Sequence, residues 1–233
     1  MTQHTSSSFL ILLLSLTTLL FLLLSALPLS RQKCAFTVTG TYYNDSMGGN
    51  PPSPYDGDPF VLPDPSLYEK LAKHCKNIPM NSPVCCNTTQ ANKMLNNLLR
   101  IDVTMWHCPS CLNNFKQMWC DFTCSPNQGD FVMVRDLYPP PLDQYINSVS
   151  FKMDSQWTVD FWNSCKDNVM GSAPLRKTYT NGQNMLQGLV DTDKPKPMVH
   201  FNFEDSPVPL PGGRYNRSVQ PCEIGCMCTY CEA

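Results

Sequence analysis

The chain has 233 residues and carries 17 basic and 19 acidic side chains, which give a formal net charge of −2 at pH 7. No block of basic residues interleaved with aromatic ones occurs, so the sequence offers no basis for nucleic-acid binding. All 13 cysteines follow residue 30, and they predict a disulfide-stapled domain in an oxidising compartment, with at least one cysteine unpaired inside the chain because the number is odd.

The first 30 residues predict a secretory signal peptide. Residues 9–24 are almost entirely Leu, Ile, Phe, Ser and Thr. Residues 25–30 (Ser-Ala-Leu-Pro-Leu-Ser) then supply the small residues typical of a cleavage site. Such a pattern is typical of a cleaved signal, and we expect cleavage near Ala26 or Ser30. The alternative is an uncleaved membrane anchor, which needs about 20 apolar residues. Residues 31–233 then form the domain itself, which is long enough for one hydrophobic core.

Apolar periodicity predicts a mixture of helices and strands after a loop region. Residues 37–66 are rich in Pro, Gly, Tyr and Asp, which indicates loops and turns. Helical spacing predicts helices at about residues 65–73, 87–101, 109–122, 157–169 and 184–190. Strands are predicted at about residues 131–134, 143–154 and 198–203. Because these elements follow no βαβ rhythm, the predicted fold class is α+β.

The clearest helix starts at residue 87. The residues at 87–89 (Asn-Thr-Thr) are all favourable N-caps, and a stripe of apolar residues follows. Gln90 lies one turn before Met94 on the same face. The residues expected to be buried on the first four of these helices are Leu67, Leu71, Ala72, Ala91, Met94, Leu95, Leu98, Ile101, Leu112, Phe115, Met118, Trp119, Val159, Phe161, Trp162 and Cys165.

The sequence contains no arrangement typical of catalysis. It lacks Gly-x-Ser-x-Gly, a phosphate loop and His-Glu-x-x-His, so we expect neither an enzyme nor a cofactor. Two Cys-x-x-Cys pairs, at 108–111 and 228–231, leave a zinc or redox site as an alternative, although their separation exceeds that of a zinc knuckle. Binding is the favoured class, because disulfides hold a fold rigid without a large core and leave volume for an apolar pocket.

Gln90 is the polar residue that best suits the end of such a pocket. A side-chain amide both donates and accepts hydrogen bonds, so it can satisfy a ligand hydroxyl. The alternative is a structural glutamine in the first helical turn, bonded to the backbone or to water.

Cysteine-containing strings give the most specific signal. They are residues 32–34 (Gln-Lys-Cys), 85–90 (Cys-Cys-Asn-Thr-Thr-Gln), 108–111 (Cys-Pro-Ser-Cys), 120–126 (Cys-Asp-Phe-Thr-Cys-Ser-Pro), 161–167 (Phe-Trp-Asn-Ser-Cys-Lys-Asp) and 226–231 (Cys-x-Cys-x-x-Cys). Together they resemble the N-terminal lumenal domain of the Niemann-Pick type C cholesterol transporters, from Cys34 to Cys231. The resemblance implies a disulfide-rich single domain in which helices pack around a small mixed sheet and enclose a deep apolar ligand pocket.

The resemblance also implies a function and a site. In that family the domain binds cholesterol with the hydroxyl inward and performs no chemistry, receives sterol from a small soluble carrier protein in lysosomes, and precedes a large membrane portion. Gln90 and Asn44 match the two residues that bind the hydroxyl. The remaining matches to pocket positions are Phe36, Met94, Leu112, Asn114, Trp119, Thr123, Pro197 and Met198.

The family's disulfide pattern can be laid on matching cysteines. It implies the pairs Cys34–Cys85, Cys75–Cys120, Cys86–Cys124, Cys108–Cys226, Cys111–Cys165 and Cys222–Cys231. These pairs leave Cys228, whose partner in the family lies a few residues beyond the last residue here. We therefore expect that the sequence stops just short of a native domain boundary.

Three glycosylation triplets fit passage through the secretory pathway, namely those headed by Asn44, Asn87 and Asn216. A glycan on Asn44 and a buried sterol contact by Asn44 exclude each other. The expected location is the lysosomal or late endosomal lumen as part of a membrane protein, or outside the cell as a secreted domain. The alternative functions are a vitamin-binding module like the folate or riboflavin receptors and an extracellular interaction module.

Overall fold

The structure, a computed structural model, describes residues 32–37, 52–105, 108–170, 173–191, 198–203 and 213–221, all within the compact unit Gln32–Ala233. Its helices are α1 (Pro65–His74), α2 (Thr88–Thr104), α3 (Pro109–Cys124), α4 (Gln128–Phe131), α5 (Ser155–Cys165), α6 (Leu175–Thr178) and α7 (Gly182–Asp191). Its strands are β1 (Phe36–Thr37), β2 (Ser53–Pro54), β3 (Val132–Leu137), β4 (Ile146–Lys152), β5 (Val169–Met170), β6 (Ala173–Pro174) and β7 (Met198–Asn202). These elements confirm the α+β class. The predicted signal peptide, residues 1–30, lies outside the described residues.

Helix α1 begins at a side-chain cap. Asp64 accepts a hydrogen bond from the backbone of Ser66 at 2.9 Å, which satisfies one of the amides that the helix start leaves open. The buried face contains Leu67, Tyr68 and Leu71. The expectation that Ala72 faces inward is wrong, because this residue lies about 140° around the helix from Leu67, beyond the edge of the buried face.

Helix α3 is the central helix, because disulfides tie it to three other parts of the fold. The bridges are Cys75–Cys120, Cys86–Cys124 and Cys111–Cys165. They connect α3 to the end of α1, to the start of α2 and to α5. Each such bridge contributes about 2–4 kcal/mol by restricting the unfolded chain. A zinc site that uses Cys111 is incompatible with this structure, since its sulfur is bonded to Cys165.

The main sheet has three strands in the order β3-β4-β7. Strand β3 runs antiparallel to β4, whereas β7 runs parallel to it, with Phe151 opposite Phe201. The sequence predicts alternating burial along 143–154, but both faces of β4 are covered. Strands pair with both of its edges, and the rings of Phe122, Phe131 and Tyr215 pack against Phe151.

The boundaries that differ from the prediction include the end of α5 and the start of β3. Helix α5 ends at Cys165, and Val169 pairs with Pro174 in a short hairpin instead of extending the helix. Phe131 closes the short helix α4 and does not belong to the strand that follows.

Val159 is 50% exposed and not buried, because it lies two residues before the buried Phe161 and hence about 200° around the helix.

The buried side chains form two clusters that meet along α3. The first contains the aromatic residues of the sheet and of α5, including Phe151 and Phe161. The second lies between α1 and α2 and includes Leu71 and Leu98. Trp119 packs against both clusters, so α3 forms the boundary between them. Within the described parts of the chain, no helix is long and apolar enough to cross a bilayer.

Candidate functional site

Gln90 is buried at the start of α2, where it both caps the helix and contacts the first strand. Its backbone amide donates to the Asn87 side chain at 2.9 Å, and its Oε1 accepts from the Asn87 backbone at 3.0 Å. This reciprocal pair is a capping box. Oε1 also accepts a hydrogen bond from the Thr37 hydroxyl at 3.4 Å. The side chain therefore has the structural role that the sequence left open as an alternative, and it reaches β1 as well.

Strand β1 brings Phe36 and Thr37 to this position. The strand has two residues and pairs antiparallel with β2, so that Phe36 faces Pro54 across the ladder. Both Phe36 and Thr37 are buried. The Cys34–Cys85 disulfide anchors the strand beside the start of α2. Thr37 was not predicted from the sequence, because its contact with Gln90 spans 53 residues and has no local motif.

A cluster of aromatic rings continues from β1 onto α3. The ring of Phe36 lies 5.6 Å from that of Phe122, and Trp119 lies 5.3 Å from Phe122 in an edge-to-face arrangement. Met94, one turn after Gln90, belongs to the second cluster, against which Trp119 packs. Phe122 thus joins Phe36 to Trp119, and Trp119 packs against the cluster that contains Met94. Gln90 contacts the same strand as Phe36 through Thr37. The sequence did not single out Phe122.

The remaining positions on α3 divide between two faces. Leu112 and Thr123 are half-buried, and with Trp119 they lie along one side at spacings of seven and four residues. Asn114 lies five residues before Trp119 and points elsewhere. Its side-chain amide donates to Ser164 at 3.0 Å and to the Gln220 carbonyl at 2.8 Å, and its oxygen accepts from the Gln220 amide at 2.8 Å. Asn114 therefore joins α3 to α5 and to residues 213–221.

Three of the residues matched to the pocket cannot be located in full. Asn44 and Pro197 lie outside the described residues, and Met198 is described only as the first backbone position of β7. Two cysteine pairs implied by the resemblance involve Cys226, Cys222 and Cys231, which also lie outside the described residues. Cys108 is buried at the start of α3.

The other implied cysteine pairs coincide with bonds in the structure. Cys34–Cys85, Cys75–Cys120, Cys86–Cys124 and Cys111–Cys165 are all disulfides.

The glycosylation triplets differ in environment. Asn87 is half-buried and its side chain caps α2, whereas Asn216 is exposed.

A buried carboxylate on α3 holds residues 213–221 against the helix. Oδ2 of Asp121 accepts from the Tyr215 hydroxyl at 3.1 Å and from Asn77 at 3.3 Å, and it lies 3.3 Å from Nε of Arg217. Burial raises the pKa of the Asp121 carboxyl, while the Arg217 charge opposes this change. Burial and the adjacent Asp121 also raise the pKa of Tyr215, which therefore stays protonated as a hydrogen-bond donor.

Comparison with known families gives one match that spans the described residues from 32 onward. The family described as "Niemann-Pick C1 N terminus" matches residues 31–233. The chain belongs to this family. The match includes all four disulfides of the described residues as well as the start of α2 that carries Gln90.

Curated relatives show a partial similarity. The chain is 31% identical to the NPC intracellular cholesterol transporter 1 homolog 1 of Caenorhabditis elegans over 119 residues, which are 46% of the chain and 9% of that protein. It is 27% identical to the NPC intracellular cholesterol transporter 1 of Sus scrofa over 120 residues, 48% of the chain and 9% of that protein. It is 35% identical to the human NPC1-like intracellular cholesterol transporter 1 over 68 residues, 29% of the chain and 5% of that protein. The chain thus spans less than a tenth of these relatives.

Proposed function

We propose that this domain binds cholesterol or a related sterol, as one step of sterol transport. The observation that carries the proposal is the buried amide of Gln90, which accepts from the Thr37 hydroxyl at 3.4 Å beside the aromatic cluster of Phe36, Phe122 and Trp119. A sterol is a rigid apolar body with one hydroxyl, and an apolar surface that ends in a polar pair is its complement.

The energetics assign different tasks to the two parts of the proposed site. Burying a sterol removes a few hundred Å² of apolar surface, and at roughly 25 cal/mol per Å² this supplies the drive for binding before association costs. A buried hydroxyl without a partner would cost about 1–3 kcal/mol. The apolar walls therefore set the affinity, and Gln90 with Thr37 sets the direction in which the sterol lies.

The proposal extends to the remaining pocket positions. The apolar wall around the sterol rings consists of Met94 on α2 and of three residues along one side of α3, namely Leu112, Trp119 and Thr123. Pro197 and Met198 lie near the opening, and Asn44 is a second partner of the hydroxyl unless it carries a glycan. Asn114 supports this wall indirectly, because its amide is bonded to Ser164 and Gln220.

The family and the disulfides support the proposed cellular setting. Disulfides persist in oxidising compartments, so we assign the domain to the lumen of the secretory and endosomal system, reached by a cleaved signal peptide at residues 1–30. Family membership favours a lysosomal or late endosomal site, sterol delivery by a small soluble carrier, and attachment to a membrane portion. No catalysis is involved in this function.

The decisive experiment measures binding of radiolabelled cholesterol to the purified, disulfide-bonded chain below the critical micelle concentration of the detergent. We expect saturable binding that unlabelled cholesterol displaces and that folate or riboflavin does not. Reduced and alkylated protein is the matched control, because it has the same composition without the fold. Binding that does not saturate, or displacement by a vitamin, would overturn the proposal.

A further inference from the structure

Gln128 is not a residue that contacts the sterol in the proposed function, yet it holds two parts of the site together. Its side chain is fully buried. Oε1 accepts hydrogen bonds from the backbone amides of Ala35 and Phe36 at 2.9 and 3.3 Å. Nε2 donates to the backbone carbonyls of Phe122 and Thr123 at 2.8 and 3.2 Å. One amide thus joins the first strand to the last turn of α3.

These four bonds use the full capacity of the side chain. A glutamine amide has two donor hydrogens and an oxygen with two lone pairs, and here each of them has a backbone partner. The carbonyls of Phe122 and Thr123 belong to the last helical turn, whose acceptors have no partner within the helix. Gln128 therefore acts on the protein backbone and has no bond left for a ligand.

The next residue shows how closely this turn lies against β1. The Gly129 amide donates to the Lys33 carbonyl at 2.7 Å. A Cβ at Gly129 would lie 3.0 Å from that oxygen and 3.2 Å from the Cys34 carbonyl oxygen, so a larger residue would push the strand away. The position of β1 is therefore set by the turn at residues 128–129 and by the Cys34–Cys85 bridge.

We propose that Gln128 is a positioning residue for ligand orientation: by fixing β1, it determines where Thr37 and Phe36 meet the sterol. The Thr37 hydroxyl contacts Gln90, and the Phe36 ring contacts Phe122, so a shift of β1 moves the polar end and one aromatic wall together. This inference rests on the proposed sterol binding. Its consequence is that Gln128 controls the discrimination between a 3β-hydroxyl and a 3α-hydroxyl.

The test compares Gln128→Ala with Tyr68→Phe. Both substitutions leave buried backbone groups without a partner, because the Tyr68 hydroxyl accepts from the Leu62 amide at 3.1 Å and donates to the Ser82 carbonyl at 2.6 Å. Tyr68 lies on α1, whereas Gln128 touches β1. For each variant the Kd of cholesterol and of its 3α-hydroxy epimer is measured at a temperature where circular dichroism shows a folded chain.

We expect Gln128→Ala to reduce the ratio of the epimer's Kd to the Kd of cholesterol about fivefold. This is the discrimination that one net hydrogen bond supplies. Tyr68→Phe leaves the ratio unchanged. A parallel loss of affinity for both epimers in Gln128→Ala, with a constant ratio, would show a purely structural role and overturn the inference. Absence of cholesterol binding by the unmutated chain would instead overturn the proposed function itself, and the inference with it.

A second arm covers a variant that does not fold. Gln128→Met keeps the length of the side chain and removes both Oε1 and Nε2. The ratio of the two Kd values is then measured for this variant. If neither variant folds, hydrogen exchange on the unmutated chain decides the question. Cholesterol must then increase the protection of the Ala35 and Phe36 amides, and unchanged exchange at both would overturn the inference.

Discussion

At the scale of single residues, Gln90 has two roles that meet in one side chain. Its oxygen closes the capping box with Asn87 and accepts from Thr37, so part of its value is structural whatever the ligand. We therefore expect a substitution to change helix stability and the proposed sterol binding together. The two effects can be separated because Asn87 shares the first role only.

The first prediction concerns Gln90→Ala. We expect it to weaken cholesterol binding about tenfold, since a hydroxyl left without a partner costs about 1–3 kcal/mol. The lost cap lowers the free energy of unfolding by about 1 kcal/mol. Asn87→Ala is the matched control: it removes the same cap, keeps the Gln90 amide and leaves binding within about twofold. Equal losses of binding in both variants, measured by cholesterol titration, would assign Gln90 to helix capping alone.

Asp121 predicts a pH dependence of stability. Burial raises the pKa of this carboxyl above its ordinary 3.8, so the folded state binds the proton more tightly than the unfolded state does. The contribution of Asp121 to stability is therefore fully present below its unfolded pKa and is lost as the pH rises through its folded pKa.

The measurement is the free energy of unfolding in urea from pH 3.5 to 7.5. We expect Asp121→Asn to flatten the decline with pH relative to the unmutated chain, because the amide has no proton to release. Val159→Thr, at an exposed and uncharged position of α5, is the control for the effect of a substitution as such and keeps the original slope. A slope that Asp121→Asn leaves unchanged would mean that other groups set the pH dependence.

At the scale of elements, the sequence predicts what is local and misses what is distant. The side-chain caps of α1 and α2 and the apolar spacing of α1, α2 and α3 involve residues that are only a few positions apart, and these helices lie close to the predicted positions. The four bonds of Gln128 include partners 93 and 92 residues away, and no local pattern marks them. The family resemblance matches Asn114 to a pocket position, but its side chain bonds to the Gln220 carbonyl.

The packing of α7 on α5 gives the element-scale prediction. Gly182 is the first residue of α7, and a Cβ there would lie 2.6 Å from the Thr158 carbonyl oxygen and 3.0 Å from Cγ2 of Thr158. Because backbone on α5 cannot yield cheaply, Gly182→Ala should reduce the free energy of unfolding by about 1–3 kcal/mol. Gly213→Ala has open space around the new methyl group and should change stability little. Thermal unfolding of both variants checks this, and equal melting temperatures would contradict the close packing.

At the scale of the whole molecule, four disulfides connect the described elements, but they serve the proposed site unequally. Cys34–Cys85 fixes β1 beside the start of α2, where Thr37 meets Gln90. Cys111–Cys165 fixes α3 to α5, on the side where Asn114 bonds to Ser164. The two bridges close loops of similar length, with sequence separations of 51 and 54. Their removal therefore costs nearly the same loop entropy.

The last prediction uses this equivalence. Replacing both cysteines of either bridge by alanine should lower the free energy of unfolding by about 2–5 kcal/mol. Under conditions where both variants remain folded, the variant without Cys34–Cys85 should bind cholesterol about tenfold more weakly than the variant without Cys111–Cys165. The reason is that only the first loses an anchor of the strand that presents Phe36 and Thr37 to the ligand. Equal affinities in the two variants would mean that β1 is held well enough without its bridge, and that the site depends on α2 and α3 alone.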